Sequence, residues 1–258
     1  MLSNTMLLFG LVIGISFAAI LNYLIEITSR DLPFFSKSTD CPACEQNMGL
    51  SSQIPIIGYA LLKGKCPQCG KKRSLTIPLL ELSLISFSVW AFVTLGLSPA
   101  FQVSLLWMGL IGVAVVDYHK WIIPNYFVLI ILFVGLIAMV SGDGSLKHAL
   151  SGMGVAVIVS LFLVIPQRFG TSSKTLALGD VKLCLAVGLW LGWVLAIYVF
   201  FSASLLASFI WIISGPTQGF STQRRLQFGP FVALSTMLFG IGRAVDPQFL
   251  THLLTFRF

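Results

Sequence analysis

Residues 181–214 read VKLCLAVGLWLGWVLAIYVFFSASLLASFIWIIS, and Lys182 is the only charged residue among them. A membrane-spanning helix needs about 20 apolar residues, so this stretch is too long for a single span. The glycines and the tryptophan pair between Gly188 and Trp193 are typical of a turn and predict two helices joined there. One long tilted helix is the alternative interpretation.

The composition of the whole chain has the same character. Hydrophobic residues make up 57% of the sequence and charged residues only 10%, whereas soluble domains carry about 25% charged residues. Too few polar side chains are present to cover a water-facing surface, so the lipid bilayer must be the main solvent. We therefore predict an all-α polytopic membrane protein with about eight transmembrane helices, near residues 6–27, 78–97, 101–116, 123–140, 150–165, 176–191, 194–214 and 228–241.

The domain organisation follows from the polar stretches. The first apolar run lacks a basic start and a small-residue cleavage site, so we interpret it as a retained helix rather than a removable signal peptide. The prediction is a first transmembrane helix in residues 1–29, a polar cytoplasmic loop in residues 30–77 and a seven-helix membrane domain in residues 78–258.

The basic residues predict the orientation. If the loop of residues 30–77 is cytoplasmic and eight spans alternate, thirteen of the 16 Lys and Arg residues face the cytoplasm, and the exceptions are Lys147, Arg243 and Arg257. This distribution is what the positive-inside rule describes. The basic residues form no helical stripe interleaved with aromatic residues, so we expect no nucleic-acid partner.

Four cysteines in the polar loop have the spacing of metal ligands. Cys41-Pro-Ala-Cys44 and Cys66-Pro-Gln-Cys69 are two Cys-x-x-Cys knuckles, and two such knuckles supply the four thiolates of a tetrahedral zinc site. The site has no obvious open position, so a structural zinc ion is favoured. Disulfides and redox-active thiols are the alternatives, which a reducing cytoplasm disfavours. Cys184 lies in an apolar run and is interpreted as core packing.

Asp117 and Asp180 each lie at the end of an apolar run. A charged side chain there has a high free-energy cost, which points to a functional role. The predicted topology places both at the cytoplasmic side. Two carboxyl groups that converge repel as anions, so one keeps its proton. The pair could then act as in aspartic proteases, with one group activating water and the other donating a proton. An ion or proton pathway and simple helix caps remain alternatives.

Residues near these aspartates fit such a site. Pro124 is expected to open the next helix, and Gly179 permits close approach by a substrate or a neighbouring helix. We interpret Glu81 and Glu26 as interfacial residues at helix ends. His119 is interpreted as a solvated loop residue.

Several motifs together resemble the type IV prepilin peptidases, membrane aspartic peptidases of the Gly-x-Gly-Asp class. The two that resemble the active-site signatures are Asp117-x5-Ile123-Pro124 and Leu178-Gly179-Asp180-Val181-Lys182-Leu183. The paired cysteine knuckles are similar to the cytoplasmic loop of the bacterial branch. Further similar segments are Ile54-Pro55, Lys63-Gly64-Lys65-Cys66, Pro78 with Glu81, and Phe228-Gly229-Pro230-Phe231.

The resemblance implies a function. It implies an endopeptidase in the bacterial cytoplasmic (inner) membrane, with its active site facing the cytoplasm, that removes the basic leader of prepilins or pseudopilins for type IV pilus or type II secretion assembly. Asp117 and Asp180 would be the catalytic residues. Many bacterial members also methylate the new amino terminus with S-adenosylmethionine, and the cysteine loop goes with that branch.

The sequence departs from the family pattern in three places. Ala177 stands where Gly-x-Gly-Asp has its first glycine, and Thr76-Ile77-Pro78 stands where the family has Arg-Tyr-Pro. The Gly-Ser-Phe-x-Asn pattern of the first span is echoed only loosely, by Gly14, Ser16, Phe17 and Asn22. The last two departures bear on methylation more than on cleavage. Two rival hypotheses are a proton- or ion-coupled transporter and a non-catalytic pilus or secretion assembly protein.

Overall fold

The computed structural model describes residues 2–34, 41, 43–47, 49, 54–141, 145–169, 178–218 and 227–246. Eight helices occur in these residues: α1 Leu2–Ser29, α2 Ile57–Leu61, α3 Thr76–Leu95, α4 Leu97–Lys120, α5 Asn125–Val140, α6 Leu146–Phe169, α7 Leu178–Gln218 and α8 Gly229–Val245. Apart from isolated bridge positions such as Lys65 and Lys72, the described residues contain no β-strand. The prediction of an all-α fold is therefore confirmed.

The apolar runs of the sequence correspond to these helices. Four helices are long and apolar enough to cross a membrane, Asn4–Ser29, Thr76–Leu95, Leu97–Lys120 and Leu178–Gly215, and three shorter apolar helices accompany them. Large apolar side chains such as Leu8, Phe162 and Phe201 are exposed on them, as expected of surfaces that contact acyl chains.

Helix α7 is interrupted at Gly192, where φ is 71° and ψ is 176°. Only glycine adopts this conformation without strain, and the ring of His148 lies against Gly192 where a Cβ would be. The break falls inside the predicted turn at residues 188–193. The interpretation of two helical segments in this run is confirmed, and the single uninterrupted helix is excluded.

The chain divides into two compact units, residues 1–108 and residues 109–258. In the first unit, α1 packs against α3. Gly10 and Gly14 of α1 allow this approach, because a Cβ there would lie 2.7 Å from the Cα of Val89 and 2.9 Å from the Cα of Ile85. Small residues four apart are a common way to bring two membrane helices together.

In the second unit, α7 packs against α5, α6 and α8. Gly188 of α7 faces Gly152 of α6 so closely that a Cβ on Gly188 would lie 2.6 Å from the Gly152 carbonyl oxygen. Leu183, Leu191 and Leu195 are fully buried along α7. The first turn of α7, which carries Asp180, is thus fixed by the packing of the central helix of this unit.

Candidate active site

Asp117 lies in the last turn of α4 and is only 6% exposed. Its Oδ2 accepts a hydrogen bond of 3.2 Å from the backbone amide of Gly229, the first residue of α8. The amides of a first helical turn have no partner within their own helix, so they are available to an anion. Gly229 can approach because it has no side chain: a Cβ there would lie 2.7 Å from Asp117 Oδ2.

The backbone at Asp117 is held as well. The side-chain amide of Gln227 donates hydrogen bonds of 2.8 Å to the carbonyl oxygens of Asp117 and Tyr118. The Trp121 amide also donates to the Asp117 carbonyl, at 2.9 Å. These donors satisfy carbonyl groups that a helix end leaves without partners. Residues 227–229 therefore fix both the backbone and the side chain of Asp117.

Asp180 lies in the first turn of α7 and is partly buried. The preceding Gly179 packs against Ile123, where a Cβ would lie 3.0 Å from the Ile123 Cβ. Ile123 and Pro124 belong to the segment that follows Asp117, and Pro124 directly precedes α5. The two sequence motifs are thus in contact, as expected from the small size of Gly179.

This packing brings the segments that carry the two predicted aspartates into contact. The two carboxyl groups are near enough for the charge of Asp117 to act on Asp180. Among the described residues no hydrogen bond to the Asp180 carboxylate occurs. Close by, Lys182 Nζ donates to Asn125 Oδ1 at 3.2 Å. His119 is exposed, as expected of a solvated residue, but it lies in the last turn of α4 rather than in a loop.

A second buried carboxylate lies in the first unit. Glu81 of α3 is 5% exposed and lies in the second turn of the helix, which begins at Thr76, so it does not cap α3. Its position at the membrane interface stays a prediction. Its Oε1 accepts a hydrogen bond from the side-chain amide of Asn22, and its Oε2 accepts one of 2.5 Å from the Ile56 backbone amide. The sequence clue was an Asn and a Glu inside apolar runs, but nothing local showed that they meet.

The amide that reaches Glu81 comes from a strained turn. Ile56 has φ 62° and ψ −53°, and the Ile57 amide donates to the Pro55 carbonyl at 2.6 Å. These are the features of a γ-turn with a positive central φ, which is rare. A β-branched residue in such a conformation costs on the order of 1–3 kcal/mol and persists only where its surroundings enforce it.

The four cysteines of the loop form one cluster. The Sγ atoms of Cys41, Cys44, Cys66 and Cys69 all lie within 4.8 Å of one another, and no disulfide joins them. The Cys41–Cys69 and Cys44–Cys66 sulfur distances are both 3.9 Å. A tetrahedral ion with metal–sulfur bonds of about 2.3 Å needs sulfurs about 3.8 Å apart. The cluster therefore fits a four-coordinate metal ion.

The two knuckles have matching backbones. The Cys41 amide donates to Gln46 and the Glu45 amide to Cys41, just as the Cys66 amide donates to Lys71 and the Gly70 amide to Cys66. Glu45 and Gly70 occupy equivalent positions with φ of 57° and 69°.

Backbone amides also prepare one thiol for a metal. Hydrogen bonds from the amides of Ala43 and Cys44 lower the pKa of Cys41 to about 6. A thiolate, rather than a thiol, is the form that binds a metal. The fifth cysteine, Cys184, is fully buried in α7, as expected of core packing.

Ala177, the departure from Gly-x-Gly-Asp, lies outside the described residues. The sequence did not predict a role for Gln227. That role depends on a hydrogen bond to the Asp117 carbonyl oxygen in α4, 110 positions earlier in the chain. Residues 228–231 were singled out only for their resemblance, without a structural role.

The chain was compared with known proteins. Residues 8–95 match the model of the bacterial peptidase A24 N-terminal domain, and residues 103–212 match that of the type IV leader peptidase family. A prepilin leader peptidase/N-methyltransferase of Neisseria gonorrhoeae is 30% identical over 245 residues, which are 89% of this chain and 81% of the relative. The enzyme of the same description from Aeromonas hydrophila is 28% identical over 218 residues, 83% and 75% of the two chains. No solved structure matches at a comparable level.

Proposed function

The chain belongs to the type IV leader peptidase family, and we propose that it cleaves the basic leader peptide from type IV prepilins or pseudopilins at the cytoplasmic face of the bacterial inner membrane. The observation that carries this proposal is the contact between the two motifs, in which Gly179, the residue before Asp180, packs against Ile123 of the segment that follows Asp117. The bias of basic residues supports the cytoplasmic orientation, since a basic leader would remain on that side.

The proposed chemistry uses the two carboxyl groups as an acid–base pair. One is ionised and removes a proton from a water molecule, whose oxygen attacks the carbonyl carbon of the scissile peptide bond. The other is protonated and donates a hydrogen bond to the carbonyl oxygen. When the tetrahedral intermediate collapses, the carbon–nitrogen bond breaks and the leaving amine takes a proton from the pair. The Gly229 amide orients Asp117 for these transfers.

The four-cysteine cluster is proposed to hold a structural zinc ion. Four thiolates in tetrahedral arrangement are the ligand set of zinc or of iron–sulfur sites, and zinc in a closed site serves the fold. The ion would join the two knuckles, residues 41–46 and 66–71, and so order the loop between α1 and α3.

The names of the relatives support a second activity, methylation of the amine released by cleavage with S-adenosylmethionine as the methyl donor. The peptidase A24 N-terminal domain model covers α1, the cysteine loop and α3. We assign methylation to this first unit and cleavage to the second, which carries both aspartates.

The test of cleavage uses the full-length enzyme co-expressed with a prepilin in membranes. We expect Asp117→Asn and Asp180→Asn each to slow leader removal by roughly 10³- to 10⁴-fold, because each removes one member of the acid–base pair. The Asp246→Asn variant, altered just after α8 ends, is the control and should process at the normal rate. Normal processing by either active-site variant would exclude the pair.

A further inference from the structure

Glu81 is a buried carboxylate that leader cleavage does not use. It lies in a helix of membrane-spanning length and is 5% exposed. A carboxylate in such surroundings is costly, and such groups commonly mark a site of function. Its two hydrogen-bond donors, the Asn22 side chain and the Ile56 amide, are both neutral, so they orient the carboxylate without cancelling its charge.

The Glu81 carboxylate has capacity left for a ligand. An ionised carboxylate offers about four lone-pair positions, and the two donors occupy one on each oxygen. The charged group that acts on Glu81 is Arg73, but within the described part of the chain no ion pair joins them. The Nη1 atom of Arg73 is buried, and it has no hydrogen-bond partner among those residues. Within the described residues the Glu81 carboxyl group is therefore not directly paired with a cation.

The loop before α3 holds the Ile56 amide in position to bind Glu81. The Ile56 amide reaches Glu81 from a strained γ-turn, and strained backbone concentrates at sites of function. Tyr59 of α2 follows the turn and donates to the Arg73 carbonyl at 3.4 Å, and the Arg73 amide donates to the Gly64 carbonyl at 2.8 Å. The second cysteine knuckle lies between Gly64 and Arg73, so the metal cluster and the turn belong to one connected structure.

We propose that Glu81 receives the new amino-terminal ammonium group of the cleaved substrate and takes a proton from it before methyl transfer. The inference rests on the methylation activity assigned above to the first unit. An ammonium group supplies both the positive charge and the N–H donors that the free lone pairs of Glu81 can bind.

The proton transfer solves a chemical problem. A primary ammonium has no lone pair, so it cannot attack a methyl group. When the proton moves to the Glu81 carboxylate, the nitrogen bonds to the methyl carbon of a sulfonium donor. The carbon–sulfur bond breaks, its electron pair stays on sulfur, and a thioether leaves. The product is a secondary ammonium, and the proton on Glu81 passes to water.

The first test separates the two activities of the full-length enzyme. Glu81→Gln keeps the size of the side chain but cannot take the proton. We expect leader cleavage at the normal rate and methylation slowed by roughly 100-fold or more, measured by the mass of the mature amino terminus. The matched control is Glu26→Gln, which alters a carboxylate of α1 that pairs with Arg30 instead and should leave both rates unchanged.

The second test measures binding without reaction. A synthetic peptide with the mature substrate sequence is offered to the solubilised enzyme with its amino terminus free or acetylated, in the absence of a methyl donor. We expect the wild-type enzyme to prefer the free amine by about tenfold or more, and Glu81→Gln to lose this preference.

The outcomes are distinguishable. Normal methylation by Glu81→Gln, an unchanged preference for the free amine, or an equal loss of cleavage and methylation would each overturn the role of Glu81, the last because it indicates a structural residue. If the wild-type enzyme removes the leader but does not methylate the new amino terminus, the methylation activity proposed for the first unit is wrong.

Discussion

The buried carboxylate of the first unit and the carboxylate pair of the second unit are held in different ways. Glu81 has a donor on each oxygen, one from α1 and one from the loop. Asp117 accepts one hydrogen bond through its carboxylate, from Gly229, and in the described residues the Asp180 carboxylate accepts none. A carboxylate fixed by two neutral donors suits recognition of a cation, whereas a sparsely bonded pair leaves room for water and for proton exchange.

The proposed functions assign the two activities to different units, and this difference is consistent with that assignment. Disturbing the Asp117 environment should affect cleavage alone, and disturbing the loop that carries Ile56 should affect methylation alone. The following three variants test that separation, and each is measured both with a full prepilin and with a peptide that needs no cleavage.

The largest effect is expected from Gly229→Ala. Its Cβ would lie 2.7 Å from Asp117 Oδ2 and 3.2 Å from Asp117 Cγ, so the carboxylate must move. A displacement of this kind should slow leader cleavage by roughly 100-fold and leave methylation of the peptide unchanged.

The control for this variant is Gly154→Ala in α6, where an added Cβ meets nothing within 4 Å. It should cleave at the normal rate, and the gain in helix propensity is worth at most about 1 kcal/mol. Normal cleavage by Gly229→Ala would show that the α8 amide does not set the position of Asp117.

A smaller effect is expected from loss of the metal. Cys69→Ser should lower the zinc content, about one ion per chain in the wild-type enzyme, to near background by elemental analysis. Because the knuckle connects through Arg73 and Tyr59 to the turn at Ile56, methylation should fall by about tenfold, with cleavage retained.

The matched control is Cys184→Ala, which removes a cysteine outside the cluster and should keep its zinc. Equal losses of cleavage and methylation in Cys69→Ser would mean that the metal supports both units, and the separation would then be wrong.

The smallest effect is expected from Gln227→Ala. It removes two hydrogen bonds to the carbonyl groups of Asp117 and Tyr118 but leaves the Gly229 amide in place. With about 1 kcal/mol for each bond, cleavage should fall by roughly 3- to 30-fold, less than in Gly229→Ala. A larger loss than in Gly229→Ala would assign the main positioning contact to Gln227.

The sequence predicted the features that depend on neighbouring residues. Apolar runs predicted the helices because a membrane span requires a continuous apolar segment, and the glycines of residues 188–193 predicted the break found at Gly192. The cysteine spacing predicted the cluster because each knuckle holds two thiols a few residues apart. Asp117 and Asp180 were singled out because a charge at a membrane edge is conspicuous, and the motif resemblance added their role.

The tertiary structure alone decided which distant groups meet. Asn22 contacts Glu81 across 59 positions, and Gly229 contacts Asp117 across 112. Hydropathy did not show that Glu81 is buried, because it averages over a helix and contains no information on which face is covered. Burial and hydrogen bonding depend on how helices pack, and close approach at glycines such as Gly10, Gly14 and Gly229 sets that packing. The sequence by itself therefore determined the helices and the four-cysteine cluster, while packing determined the surroundings of each carboxylate.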